Sequence, residues 1–139
     1  MKKSLAILGI LLSTISFSAK ADYLGLWTSQ KAANGNQATI KIFEQHGKIF
    51  GQIVHLTHPK KDVNNKDKSK RNRNIEGITI ISSFKYNEKE DKFEGGLIYD
   101  PESGNTYHCI LKLQDKNTLK VRGHIGIEIL GRTEIWKRK

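Results

Sequence analysis

The side chains best suited to chemistry are few: a single cysteine, Cys109, five histidines, and a run of carboxylates and amides beginning at Asp62. Nucleophilic catalysis needs an activated nucleophile beside a base that a third group orients. His108 is adjacent to Cys109, but neighbours on an extended strand project to opposite faces, so the two cannot act as a pair. Cys109 lies in phase with Tyr107 and Leu111, which predicts a buried, inert thiol. His124 stands at a turn with no partner placed beside it. Asp62-x-Asn64-x-Lys66 opens like a calcium loop, yet lysine occupies its fifth position, glycine is missing from the sixth, and Arg73 stands where the bidentate carboxylate belongs. His55 and His58 have no third or fourth ligand nearby. An enzyme, a metal site and a cofactor are therefore not expected.

The elements that must position any site are strands. Phe93 to Leu113 reads as one β-hairpin, with Phe93, Gly95, Leu97 and Tyr99 alternating on one arm. Tyr107, Cys109, Leu111 and Leu113 alternate on the same side of the other arm. Between them, Asp100-Pro101-Glu102-Ser103-Gly104 carries turn chemistry: Asp at the first position, Pro to set φ, and Gly to rejoin the strand.

The other segments repeat this pattern. Strands are expected at Tyr23–Ser29, Ala38–Glu44, Lys48–Thr57, around Ile78–Phe84, at Leu119–Gly123 and at Ile127–Trp136, separated by turns such as Asn34-Gly35-Asn36 and Asp115-Lys116-Asn117. No window beyond the first 21 residues shows a helical period. Eight strands with mostly short connections imply antiparallel neighbours. Gly51, Gly95, Gly96, Gly123, Gly126 and Gly131 lie within or at the ends of these strands, where glycine marks bulges and bends. The expected fold is all-β, an eight-stranded antiparallel up-and-down barrel, with a flattened sandwich as the alternative.

Residues 1–21 carry a different signal. Lys2 and Lys3 precede an apolar run from Leu5 to Phe17, and Ala19-Lys20-Ala21 fits a signal-peptidase site. The run is shorter than the roughly 20 residues a membrane span needs. Residues 22–139 are then the mature domain, expected in the periplasm or secreted, with no transmembrane segment and, having one cysteine, no internal disulfide. Removing Lys2, Lys3 and Lys20 lowers the formal charge from +10 to +7. Of this, +5 belongs to Lys60–Arg73, where seven basic residues meet only Asp62 and Asp67. Basicity confined to one loop argues against nucleic-acid binding. Two readings of this loop stay open: a solvated connector, or a surface for weak contact with anionic envelope lipid or a partner protein. Asp62, Asp67, Arg71 and Arg73 could pair with one another across it.

Gly25-x-Trp27 on the first strand, with Arg132 or Arg138 on the last, resembles the signature of the calycins, the superfamily of the lipocalin-like barrels. That resemblance implies a tryptophan plugging one end of the barrel with a cation stacked on it. Gly25, Trp27 and Arg132 are the structural signature on this reading. Beyond it, Gly51-Gln52-Ile53-Val54, Asp62 with Asn65 and Asp67, Arg71, Arg73, Gly77-Ile78, Gly95 to Pro101, Gly104, Tyr107, Arg122-Gly123, Gly131-Arg132-Thr133 and Trp136 resemble a bacterial family named domain of unknown function 2147. Its pattern is departed from at Lys66, Phe93 and His124. The calycin resemblance implies a carrier of a small apolar ligand, lined here by Ile80, Phe84, Leu97, Tyr99, Tyr107 and Leu111. The alternative is a barrel filled by its own side chains, acting through its surface.

Overall fold

The computed structural model describes Gly9, residues 20–125 and residues 131–139. The predicted signal segment therefore lies outside the described residues except for Gly9, Lys20 and Ala21, as do residues 126–130 of the expected start of the last strand. Eight strands follow one another: β1 (Gly25–Thr28), β2 (Ala38–Gln45), β3 (Lys48–Leu56), β4 (Thr79–Asn87), β5 (Lys92–Asp100), β6 (Asn105–Asp115), β7 (Thr118–His124) and β8 (Gly131–Arg138). Each pairs antiparallel with the next, and β1 pairs with β8 at Trp27↔Arg138, closing a barrel in sequence order. Two short 3₁₀ turns, Lys20–Tyr23 and Lys68–Lys70, complete the described elements. The barrel, and not the sandwich, is the architecture.

One end is filled by aromatic side chains. Tyr23, Trp27, Phe93 and Leu119 are completely buried there. Tyr23 meets Phe93 edge-on at 4.9 Å, its hydroxyl donates to the carbonyl of Asp91, and it accepts from the amide of Leu113. Burial pushes the pKa of this phenol up to about 12. Trp27 donates its Nε1–H to the carbonyl of Tyr23, so the indole has its polar atom satisfied while its ring packs.

The cation over that indole is Arg138, 4.2 Å from the ring centroid, and this corrects the assignment to Arg132. Arg132 is 81% exposed and pairs with Glu134 at the other end of β8. Register decides between them, because Arg138 lies directly across from Trp27. Arg138 also donates to the carbonyls of Asp22, Leu24 and Lys116, tying the segment before β1, the end of β8 and the β6–β7 turn together. Gly25 makes room for this. Its φ is +113°, and a Cβ there would stand 3.2 Å from the Arg138 guanidinium.

A bulge in β5 reorganises the central hairpin. Phe93 pairs with Leu111 and Gly96 with Cys109, so three steps along β5 match two along β6. Gly95 absorbs the extra residue at φ +71°. A Cβ on Gly96 would lie 2.2 Å from the Phe84 ring, so only glycine lets that ring pack against the strand. Beyond the bulge, alternation is inverted relative to the uninterrupted pattern. Gly96 is buried and Ile98 packs on the core, while Leu97 is 38% exposed.

Candidate functional site

At the end away from Trp27 the interior opens into a cavity of about 940 Å³. Its wall is branched aliphatic: Ile40, Ile53, Leu56, Ile80, Ile98 and Val121, with Trp136 beside them. These side chains come from β2, β3, β4, β5, β7 and β8, so the apolar lining runs round much of the barrel. Polar groups gather at the rim, from Ser29–Gln37, from Asp100 and Glu102 at the β5–β6 turn, and from His124 and Arg132. Glu134 lies on the wall and accepts from Arg132 at 2.8 Å and from the Trp136 Nε1–H at 3.3 Å.

The six residues expected to line a ligand site do not stay together. Ile80 and Tyr107 line the cavity. Phe84 and Leu111 are fully buried packing residues and do not border it. Leu97 points outward, because the β5 bulge passes its inward role to Ile98. Tyr99 borders the cavity, but its hydroxyl turns away and donates to Asp62 at 2.6 Å. The Asp100–Gly104 turn forms as its sequence predicts, with the Gly104 amide donating to the Asp100 carbonyl. Cys109 is buried, and burial, reinforced by Glu134, pushes its thiol up to about 12, so it stays protonated at neutral pH. His108 is exposed and stacks on His124 with centroids 5.7 Å apart.

The connection between β3 and β4 is a strap tied to the barrel by hydrogen bonds, while most of its side chains stay exposed to solvent. Asp62 sits at its centre with 0% exposure. Its carboxylate accepts from the Tyr99 hydroxyl, from Asn65 Nδ2 at 2.8 Å and from Arg73 Nε at 3.0 Å. Burial opposes the charge, but the three hydrogen bonds and the charge of Arg73 outweigh it and hold the carboxyl below its ordinary value. The same contact raises the pKa of Tyr99, through burial first and then Asp62.

Of the four charges expected to pair across the loop, only Asp62 and Arg73 do so. Asp67 instead caps the Lys68–Lys70 turn, accepting from the Ser69 amide and hydroxyl. Arg71 donates to the carbonyl of Asn65. The strap is docked on the β5–β6 turn through Asn64, which donates to the carbonyls of Pro101 and Glu102, and through the Lys60–Glu102 ion pair. A Cβ on Gly104 would stand 1.8 Å from the Asn64 carbonyl oxygen, so that turn accepts the strap only with glycine there. Ile75, 1% exposed, enters the cavity wall from the strap.

Sequence reasoning passed over Asn65 and Tyr99 as partners of Asp62, and Ile40, Ile53, Ile98 and Trp136 as cavity wall. The alternation of β2 and β3 points to Ile40 and Ile53, whereas a partner 37 residues away has no local signal.

A family model described as an uncharacterized protein conserved in bacteria (DUF2147) matches residues 25–138. Among solved structures, protein HP1028 from the human pathogen Helicobacter pylori, titled as belonging to the lipocalin family, is similar with a TM-score of 0.75. The match has 22% identity and covers 84% of this chain and 82% of that one. A search of curated proteins finds no match.

Proposed function

This chain belongs to the DUF2147 family of bacterial proteins, and from its lipocalin-like barrel we propose that it is an exported binder of a small apolar ligand. The observation that carries this reading is the cavity of about 940 Å³ walled by branched aliphatic side chains. Ligand cavities usually measure about 300–1,000 Å³ and combine an apolar wall with a few polar groups, and eight-stranded barrels have room for one small ligand. Against the filled-core alternative, the aliphatic and aromatic side chains at the mouth end leave this volume unfilled. Export is supported by Lys2-Lys3, the apolar run to Phe17 and the Ala19-Lys20-Ala21 site.

Titration with an environment-sensitive apolar dye tests the binding reading. A saturable single-site isotherm that Ile98→Trp abolishes and Leu97→Trp leaves unchanged supports a ligand in the barrel. Absence of binding to the parent protein supports the filled-core alternative instead. Intact-mass measurement of the protein from culture supernatant or periplasm tests export, the expected species beginning at Asp22.

A further inference from the structure

The strap holds more positive charge than its own contacts neutralise. Lys60 is paired with Glu102 and Arg73 with Asp62. Lys61, Lys66, Lys68, Lys70 and Arg71 form no ion pair with a carboxylate among the described residues. These side chains stand on a backbone fixed by the Asp62 network and by the docked β5–β6 turn.

Between the strap and that turn lies a second cavity, of about 480 Å³, on the outside of the barrel wall. Lys66, Lys70 and Arg73 border it on the strap side, Asn105 and Thr106 on the β6 side. Asp67 also borders it, but Oδ1 of that carboxylate is already engaged by Ser69.

We propose that this cleft is an anion site that takes a phosphate group. A phosphate offers several oxygens at once, and two ammonium groups, a guanidinium, an amide and a hydroxyl are the donors that satisfy them. Because the Asp62 network already orders the strap, binding carries little of the cost of arranging a mobile loop. Tyr99 borders both this cleft and the barrel cavity, so a phosphate held here lies beside the mouth. The site does not depend on the carrier reading, since none of its cations faces the barrel interior. The phosphate has two chemical sources, a soluble phosphorylated compound or a phospholipid headgroup at a membrane surface.

The test uses the parent protein, the cleft variant Lys66→Glu/Lys70→Glu, and a control, Lys85→Glu/Lys89→Glu. The control makes the same charge change at exposed positions near the β4–β5 turn. Inorganic phosphate is titrated while backbone amide resonances are followed, and flotation measures binding to phosphatidylglycerol–phosphatidylcholine vesicles against phosphatidylcholine alone. The expected result is perturbation centred on Lys66, Lys70, Asn105 and Thr106, with affinity about tenfold or more weaker in the cleft variant only. The neutral pair Lys66→Gln/Lys70→Gln shows a smaller loss in the same direction. Strong phosphate binding without a vesicle preference identifies a soluble source, whereas vesicle binding lost in the cleft variant identifies a headgroup. Equal losses in cleft and control variants, or no response to either probe, overturn the proposal.

Discussion

The two ends of this barrel are built from the same eight strands and solve opposite problems. At the closed end, Tyr23, Trp27 and Phe93 fill the interior, and each polar atom of Tyr23 and Trp27 has a backbone partner. At the mouth, isoleucine, leucine, valine and Trp136 line a cavity, and a strap is pinned from outside to Tyr99 by one buried carboxylate. Aromatic packing fills the closed end, whereas the rings at the mouth, Tyr99, Tyr107 and Trp136, border the cavity without filling it. Close packing is therefore concentrated at one end and vacant volume at the other.

Truncation should expose that contrast most strongly. Trp27→Ala removes the plug and the surface on which Arg138 stacks, and is expected to cost about 3–5 kcal/mol in chemical denaturation. An unchanged denaturation midpoint would show that the closed end is not the stable one. At the mouth, Asp62→Ala leaves Tyr99, Asn65 and Arg73 without their acceptor. The expected cost is about 2–3 kcal/mol, below that of a wholly buried pair because Arg73 is partly solvated. Proteolysis should then cut within the strap before the barrel.

The ends should also differ in their response to acid. The carboxyl of Asp62 lies below its ordinary 3.8 in the fold, so its contribution is fully present above that pH and is lost as pH falls through the folded value. Asp62→Asn should flatten the acid limb of stability against pH, while the closed-end variant Tyr23→Phe should leave that limb unchanged. Tyr23 works in the other direction: raised from 10.0 to about 12, its contribution is present below pH 10 and lost as pH rises toward 12. Tyr23→Phe should therefore soften the alkaline limb, although Tyr99, raised as well, keeps part of it.

The smallest effects on stability should come from filling the mouth. Ile98→Trp has vacant volume to occupy and should cost under about 1.5 kcal/mol, whereas a packed interior would make the same change cost about 1–3 kcal/mol or more. Leu97→Trp, one residue away on the outer face, should be within about 0.5 kcal/mol of the parent. Similar losses of dye binding in the two variants would show that the inside–outside assignment of β5 is wrong.

Much of the fold was legible in single residues. Alternation and turn chemistry located the strands, because period-two patterning follows from one buried face, and Asp100 and Gly104 act within their own turn. Trp27 was readable as a plug through the resemblance of Gly25-x-Trp27 to the calycin signature, which implies that role. Three matters were decided only by tertiary structure. Arg138 and not Arg132 stacks on Trp27, because the choice depends on the register between β1 and β8, which are far apart in sequence. Ile98 and not Leu97 faces the interior, because one extra residue at Gly95 reverses the phase of everything after it. The strap is ordered because Asp62 finds Tyr99 across the barrel wall, and a run of lysines and asparagines carries no local sign of a partner so far along the chain. Local sequence sets which residues prefer to be buried; register, bulges and long-range hydrogen bonds decide which of them meet.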